Sequence, residues 1–300
     1  MGMRLFLRQK WGKNMAKYAV LDIGSNSVRL LLHLDGQERL ELETTRLGQG
    51  VADRLLQPQP VARTIAAIER FCGEARAAGV EEIHAFATSA VRDARNQEAL
   101  LEPIKRLCGV EIDVIPGQIE AELAYMGAAE GRRACVIDIG GASTELVAGD
   151  RNVRRAVSLQ VGAVRLKERC GQDRTAAEAF LTELFSAQKS GFSAWEDAPF
   201  LGIGGTLTTL AAMQQGLKIY DEKRVHGYVL THETVLNWVD KLWDLPVEQR
   251  VFPGLKPTRA DIIAHGALIA ERFMAAFGRA QIVVSTGDNL HGYLAWKGVI

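Results

Sequence analysis

Residues 135–149 read CVIDIGGASTELVAG and decide the fold. The apolar beginning of this stretch predicts a strand that ends at Asp138, and residues 143–149 predict a second strand. Gly140 and Gly141 lie in the turn, where glycine permits positive φ and a close approach of the backbone to a ligand. Successive N–H groups in such a turn form a concavity suited to an anion. We therefore expect a strand-turn-strand hairpin that binds phosphate.

The position of Asp138 predicts a cation beside that phosphate. A carboxylate next to an anion is repelled unless a cation lies between them, and Mg²⁺ binds one or two carboxylates together with phosphate oxygens. The alternative is an ordinary glycine-containing hairpin in which Asp138 and Ser143 only cap the turn. For a single copy of the pattern, the ordinary hairpin is the better interpretation.

The same pattern occurs earlier, in residues 18–34, with the sequence YAVLDIGSNSVRLLLHL. There an apolar strand reaches Asp22, a turn of small polar residues follows, and a second apolar strand begins. The two aspartates, Asp22 and Asp138, are 116 residues apart. This separation is too long for neighbouring hairpins of one sheet and is typical of two duplicated domains. Two such hairpins facing each other across a cleft would hold a chain of phosphates from both sides.

Composition places the chain among ordinary soluble globular proteins. Its 300 residues, 47% of them hydrophobic and 24% charged, are enough for two cores. The formal net charge is zero, so no overall basic field favours nucleic acid, and any attraction for phosphate must be local. No apolar run approaches the roughly 20 residues that a membrane helix needs. Four scattered cysteines without a CxxC motif indicate reduced thiols, as in the cytoplasm.

Strands and helices alternate through the rest of the chain, which predicts an α/β fold. The helix predicted for residues 118–129 carries Glu120 in its first turn, where acidic residues are common because of the helix dipole. Glu122 points to another face, so only one of the two glutamates can face a cleft. Residues 88–90 predict a helix start that places Arg92 in the first turns, where the dipole disfavours it. A phosphate contact and a solvated surface position both remain open for this arginine.

Another glycine pair, Gly204 and Gly205, follows the strand predicted for residues 199–203 and precedes a helix together with Thr206. The N–H groups and positive dipole end of such a helix favour an anion or a nucleotide. Tight packing of the helix on the strand is the alternative reason for the glycines.

Taken together, these motifs resemble the exopolyphosphatase and guanosine-pentaphosphate phosphatase family. The similar segments occur in the family's order and cover nearly the whole chain from Lys17: DIGSNSVRL (22–30), ATSAVRDARN (87–96), PGQIEAELAYMG (116–127), DIGGASTEL (138–146), GAVRL (162–166) and GIGGTLTTLA (202–211). The resemblance implies two duplicated ribonuclease-H-like domains of the actin-like superfamily, which includes sugar kinases and 70-kDa heat-shock proteins, with a cleft between them. We place these domains at residues 15–127 and 128–300, after a basic tail of residues 1–14, for which a disordered segment and a start of the protein at Met15 both remain open.

The resemblance also implies roles for individual residues. Glu120 matches the glutamate that orients and deprotonates the attacking water, and Asp138 with Glu145 would hold Mg²⁺ or Mn²⁺. The terminal phosphoryl group would be bound by residues of both hairpins and by one arginine: Ser25, Asn26, Arg92, Gly140, Gly141 and Ser143. Further candidates are Asp22, Gly204, Gly205 and Thr206.

The sequence departs from the family's pattern around two of these positions. Ala142 stands where a third glycine is usual, and Gln118, Ile119 and Glu122 replace the more usual Glu, Glu and Arg around the base. The loss of a nearby acid and a nearby arginine could alter the pKa of Glu120 and the contacts with substrate.

The resemblance implies a cytoplasmic, metal-dependent exopolyphosphatase that releases orthophosphate from the ends of inorganic polyphosphate. It implies a homodimer, and we expect neither nucleic acid nor a membrane as partner. Hydrolysis of pppGpp at its 5′-phosphates is the alternative with the same chemistry, and a non-catalytic regulator that binds nucleotide or polyphosphate is the alternative of another class. The chain resembles the short, two-domain form of the family, which predicts a preference for shorter polyphosphate chains.

Overall fold

The computed structural model describes residues 17–51 and 54–299, so the basic tail predicted for residues 1–14 lies outside the described residues. The described chain folds into two mixed sheets with helices packed against them, which confirms the α/β prediction. None of the helices in these ranges combines the length and the hydropathy that crossing a bilayer requires.

The first sheet has the strand order β3-β2-β1-β4-β5 in the described chain. Strands β1, β2 and β3 pair antiparallel, whereas β4 pairs parallel with both β1 and β5. The central strand β1 is buried along its whole length, which explains its nearly continuous apolar sequence YAVLDI. The elements are β1 (Tyr18–Ile23), β2 (Val28–Leu34), β3 (Gln37–Glu43), α1 (Pro58–Ala77), β4 (Glu82–Ala87), α2 (Ser89–Arg92), α3 (Glu98–Cys108) and β5 (Asp113–Val114).

The second sheet, reached through helix α4 (Gly117–Ala129), repeats this topology. Its order is β10-β11-β9-β6-β7-β8, again with an antiparallel β6-β7-β8 meander beside parallel strands, and β10 is added antiparallel at the edge. The predicted duplication is therefore confirmed. The strands are β6 (Ala134–Ile139), β7 (Thr144–Asp150), β8 (Asn152–Leu159), β9 (Phe200–Ile203), β10 (Val229–Thr231) and β11 (Gln281–Val284).

Helix α4 packs on one face of this sheet, and most helices of the second half pack on the other. The helices of the second half are α5 (Ala163–Cys170), α6 (Arg174–Lys189), α7 (Gly204–Gln214), α8 (Glu222–Val225), α9 (His232–Trp243), α10 (Ile263–Phe277) and α11 (Asn289–Lys297), with 3₁₀ turns at Ser190–Trp195, Val247–Gln249 and Pro257–Arg259. The expectation for Arg92 needs a correction. Helix α2 is a single turn that ends at Arg92, so this arginine lies at the C-terminal end, where the dipole does not disfavour it.

Helices α4 and α11 join the two sheets. Small residues of α4, such as Ala121 and Ala124, pack on β6 and β7 of the second sheet. On its other side α4 contacts α11, and Leu290 and Tyr293 of α11 pack against Val20 of β1. The chain thus crosses between the two cores at α4 and returns at α11. The boundaries 15–127 and 128–300 stay a prediction.

This crossing depends on glycine. A Cβ atom at Gly127 of α4 would overlap the backbone carbonyl of Asp288, which directly precedes α11. A Cβ atom at Gly292 of α11 would in turn overlap the carbonyl of Leu123 in α4. Because backbone atoms cannot move aside as a flexible side chain can, both positions require a residue without a side chain.

We expect Gly127→Ala to destabilise the fold by about 1–3 kcal/mol, the usual cost of overpacking a well-packed contact. Gly73→Ala is the matched control, because Gly73 lies in α1 at an exposed position with nothing near its missing Cβ. That variant should be neutral or up to about 1 kcal/mol more stable, because alanine has the higher helix propensity. Urea unfolding of both variants measures the difference, and equal stabilities would contradict the close crossing.

Candidate active site

The two hairpins have the same turn geometry. The Gly24 N–H donates to the Ser27 carbonyl at 3.0 Å, and the Gly140 N–H donates to the Ser143 carbonyl at 3.0 Å. The expectation of positive φ in these turns is wrong, because the residues with positive φ in the described chain include neither Gly140 nor Gly141. The glycines are needed for space instead: a Cβ at Gly141 would lie 3.2 Å from the Ser25 Cβ.

The hairpins face each other, as their duplication predicts. Gly141 of the second hairpin lies against Ser25 and Asn26 of the first. The Ser25 hydroxyl lies 3.1 Å from the hydroxyl of Ser89, at the start of α2. The Asn26 Nδ2 is buried and has no hydrogen-bond partner within the described ranges. Hydroxyl and amide donors of the first hairpin therefore lie at the contact between the two turns, where the phosphate is expected.

Strand register places a different pair of side chains opposite each other in each hairpin. In the first hairpin Asp22 pairs with Arg29, and in the second Asp138 pairs with Glu145. The duplication therefore puts Arg29 at the position that corresponds to Glu145. Sequence reasoning missed Arg29, although the spacing of seven residues after each aspartate was a signal that could have found it.

Arg29 joins residues that are far apart in sequence. Its Nε donates to Asp22 Oδ2 at 2.9 Å, and its guanidinium also forms an ion pair with Asp288, the N-cap of α11. Burial raises the pKa of Asp22, and Arg29 acts in the opposite direction. Burial also opposes the charge on Asp288, but Arg29 and His291 outweigh it and bring this pKa to about 2. Asp288 is therefore the firmly ionised partner of Arg29.

Asp138 lies in the same cluster. Its Oδ2 accepts a hydrogen bond from Asn289 Nδ2 at 3.2 Å. Burial, followed by the charges of Asp288 and Asp22, raises the pKa of Asp138 to about 6 in spite of Arg29. Negative charge is thus in excess around Asp138, which is the environment that a cation would stabilise.

The second glycine pair borders this cluster. Gly204 has a φ of +86°, and a Cβ there would lie 2.5 Å from Asp138 Oδ1, so the glycine leaves that carboxylate oxygen room. Gly205 lies against the guanidinium of Arg259, whose pKa is lowered to about 10 by burial and by the nearby Arg29. Thr206 is not brought to the cluster, since its side chain packs against Gly266 of α10.

Glu120 is 5% exposed, and its Oε2 accepts a hydrogen bond from Arg92 Nη1 at 2.7 Å. Burial raises the pKa of Glu120 to about 7; Arg92 opposes the shift, and the charges of Asp138 and Asp22 add to it. Arg92 also donates to the Ile115 carbonyl at 3.1 Å, but its Nη2 is buried without a partner in the described structure. One N–H group of Arg92 is therefore free for an anion while another holds the glutamate.

Glu122 points away, as the helical spacing predicts. Its Oε1 accepts from Gln118 Nε2 at 3.2 Å on the exposed side of α4. Two residues at positions where the sequence departs from the family pattern thus contact each other and not Glu120.

Glu145 is the other buried carboxyl group near Glu120. Its Oε1 accepts from the Ser158 hydroxyl at 2.7 Å. Burial, with the charges of Glu120 and Asp138, raises the pKa of Glu145 well above its ordinary value, and a hydrogen bond with Ser143 acts against this rise.

The donor set around Asp138 suits a hard divalent cation. No cluster of three or more His, Cys, Asp or Glu arranged to hold a metal occurs among the described residues. Mg²⁺ does not require one, because it is usually held by one or two carboxylates, by substrate phosphates and by water. Asp22 Oδ1 is buried and lacks a hydrogen-bond partner in the described structure, so an oxygen acceptor remains available next to Asp138.

A cavity of about 410 Å³ opens beside the hairpin turns, with Ala90 and Ala142 in its wall. Ala142, where a third glycine is usual, is buried and is accommodated without positive φ. An ion pair of 3.0 Å between Asp93 and Arg165 spans the same wall and joins the C-cap of α2 in the first half to α5 in the second.

Comparisons with known proteins agree with this geometry. Exopolyphosphatase 2 of Mycobacterium tuberculosis is 30% identical over 310 residues, which cover 93% of this chain and 97% of that protein. Guanosine-5′-triphosphate,3′-diphosphate pyrophosphatase of Vibrio atlanticus is 29% identical, and the match covers 94% of this chain and 59% of that protein. The crystal structure of the Aquifex aeolicus member of the Ppx/GppA family superposes with a TM-score of 0.76 at 31% identity, over 95% of this chain and 98% of that one.

The family itself follows from the sequence profile. The profile of the Ppx/GppA phosphatase family matches residues 39–295, which run from within β3 to within α11 and therefore include Glu120, Asp138 and Asp288. The chain belongs to the Ppx/GppA phosphatase family.

Proposed function

We propose that this protein is an exopolyphosphatase, which hydrolyses the terminal phosphoanhydride of inorganic polyphosphate and releases orthophosphate. The observation that carries the proposal is the buried Glu120–Arg92 pair. A carboxyl group with a pKa near 7 is suited to accept a proton at neutral pH, and its arginine partner retains an N–H group for a phosphate. The mycobacterial relative's name supports polyphosphate as the substrate.

In the proposed reaction, Glu120 accepts a proton from a water molecule as the water oxygen forms a bond to the terminal phosphorus. The bond between that phosphorus and the bridging oxygen breaks, and the shortened polyphosphate leaves with the electron pair. Arg92 Nη2, the hairpin N–H group of Gly141, and the side chains of Ser25, Asn26 and Ser143 bind the transferred group, and Gly140, whose N–H donates to the Ser143 carbonyl, holds the turn in shape. Because phosphoryl transfer needs mainly positioning and charge stabilisation, donors fixed by burial are effective.

A divalent cation, Mg²⁺ or Mn²⁺, is part of the proposal. Asp138 and Glu145 would hold it, with Asp22 as a further oxygen donor, and the bound cation would neutralise charge on the phosphate oxygens. The cation would also favour the ionised form of Glu145, whose pKa is raised by burial in its absence.

Hydrolysis of pppGpp is the alternative, supported by the name of the Vibrio relative. The same water, base and phosphate site would serve, and only the group attached to the outgoing phosphate would differ. We further infer a cytoplasmic enzyme, in keeping with the four free cysteines of the described chain, and the homodimer stays a prediction.

Orthophosphate release with Mg²⁺ from short-chain polyphosphate, long-chain polyphosphate, pppGpp and ATP tests the substrate. We expect the highest kcat/KM for polyphosphate. A higher kcat/KM for pppGpp than for polyphosphate would identify pppGpp as the preferred substrate instead. No release from any of the four by folded protein would contradict the proposed function.

Glu120→Gln should lower kcat by about 10²–10⁴-fold, the usual contribution of a general base, while the fold is retained. Glu122→Gln is the matched control on the same helix and should keep activity within about twofold, because that side chain points to the outer side. Steady-state kinetics with circular dichroism checks both. Comparable activity in the two variants would remove Glu120 from the role of base.

The pH profile should rise through about pH 7 on its acid side, because protonated Glu120 cannot accept a proton. Arg92, Glu145, Asp138 and Asp22 are the charged or titratable groups that act on Glu120. Since Arg92 lowers this pKa, Arg92→Gln should move the acid limb of kcat/KM to higher pH and lower its plateau. Arg95→Gln, at a neighbouring exposed arginine, is the control and should leave the limb in place. If the acid limb of kcat/KM lies at the same pH in Arg92→Gln as in the wild type, a group other than Glu120 is responsible for it.

A further inference from the structure

Helix α11 begins inside the acidic cluster. Asn289, its first residue, is 4% exposed and donates its Nδ2 to Asp138 Oδ2 at 3.2 Å. The preceding residue, Asp288, binds Arg29 and caps the helix by accepting from the Leu290 N–H at 3.0 Å. The start of the last helix thus contacts Asp138, the carboxylate of the second hairpin that we expect to hold a cation.

Two oxygen atoms of this cluster have no donor. Asn289 Oδ1 and Asp22 Oδ1 are both buried, and neither has a hydrogen-bond partner in the described parts of the chain. Buried acceptors are normally satisfied, so each of these oxygens calls for an explanation. Since Asn289 Nδ2 bonds to Asp138, the oxygen of the same amide group must lie within the same cluster.

The charges of the cluster indicate which kind of ligand would satisfy these two oxygen atoms. The guanidinium of Arg29 is shared between Asp22 and Asp288, and Asp288 also pairs with His291, so Asp138 is left without an ion-pair partner in the described structure before any phosphate arrives. A neutral donor such as water would satisfy the oxygens but leave the charge. A divalent cation would bind the oxygens and also compensate the charge, and amide and carboxylate oxygens are ligands that Mg²⁺ and Mn²⁺ accept.

We propose that Asn289 is a residue of the divalent-cation site: its amide nitrogen orients Asp138, and its amide oxygen, with Asp22 Oδ1, is a ligand of the cation. This inference rests on the proposed function, which requires a cation at Asp138, and adds to it a ligand from α11. The site then draws on three segments: the first hairpin, the second hairpin and the start of the last helix. The packing of the two halves brings these segments together.

Two substitutions separate this role from a merely structural one. Asn289→Leu has a similar size but removes both the donor and the oxygen, and it should weaken binding of the cation by about tenfold or more. Asn289→Asp removes the donor but keeps an oxygen and adds a negative charge, so it should bind the cation as tightly as the wild type or more tightly. If Asn289 only donates to Asp138, the aspartate would instead repel that carboxylate and weaken binding as leucine does.

Binding of Mn²⁺ to the full chain in the presence of orthophosphate, measured by electron paramagnetic resonance, is the readout, and it needs no turnover. Asn237→Leu, an exposed position in α9, is the matched control and should bind Mn²⁺ like the wild type. Thermal unfolding without cation confirms that each variant is folded, and if Asn289→Leu does not fold, Asn289→Asp alone decides.

The outcomes distinguish this inference from the proposed function. Unchanged Mn²⁺ affinity in Asn289→Leu, equally weakened affinity in Asn289→Asp, or no Mn²⁺ binding by the wild type would each overturn the role of Asn289. If the wild type hydrolyses polyphosphate while Asn289→Leu binds Mn²⁺ normally, the inference fails and the function stands. If no substrate is hydrolysed but Mn²⁺ binding follows the expected order of variants, the inference stands and the function fails.

Discussion

The arrangement of the site depends on the two ion pairs of Arg29, whose guanidinium is partly buried. It binds Asp22 on the first sheet and Asp288 at the start of the last helix, and so connects the ends of the described chain. Removing one partner of a buried ion pair leaves the others uncompensated, which is far more costly than losing an exposed pair. Since Asp288 precedes Asn289, the same interaction fixes the residue that contacts Asp138. Through Asp288 and Asn289, the surroundings of Asp138 in the second hairpin therefore depend on Arg29 of the first.

Buried carboxyl groups concentrate around this pair, and their pKa values move in opposite directions. Glu120 and Asp138 titrate near 7 and 6, above their ordinary values of 4.5 and 3.8, so their contribution to stability is fully present at low pH and is lost as the pH rises through those values. Asp288, with a pKa near 2, contributes above its ordinary 3.8 and loses that contribution only in strong acid. At neutral pH the free protein thus keeps unfavourable negative charge next to one firm ion pair. Perturbed groups of this kind concentrate at functional sites, where a bound cation and substrate compensate them.

Close packing gives these charges a fixed geometry. Helices α4 and α11 cross between the two cores, and the glycines at 127 and 292 let their backbones approach. Helix α4 carries Glu120 and α11 starts at Asn289, so one contact between helices sets the positions of the proposed base and of the amide at Asp138. The hairpin glycines have a similar use, because Gly141 allows the second turn to lie against Ser25 of the first. Space, and not positive φ, is what these turns require.

The sequence by itself determined the repeated hairpin, the α/β class and the identity of most polar residues in the cleft, because strand patterns and turn glycines are local signals. The two turns, Glu120, Arg92 and Asp138 could be found in this way, and so could Arg29 had the equal spacing of the two hairpins been used. Asp288, Asn289 and the contact of Gly205 with Arg259 could not, since nothing near them in sequence marks their partners. Tertiary structure also decided that Thr206 packs on Gly266 and that Arg92 ends a single helical turn. The physical reason is that burial and long-range charge set the pKa values and partners here, and both arise only when the two halves of the chain pack together.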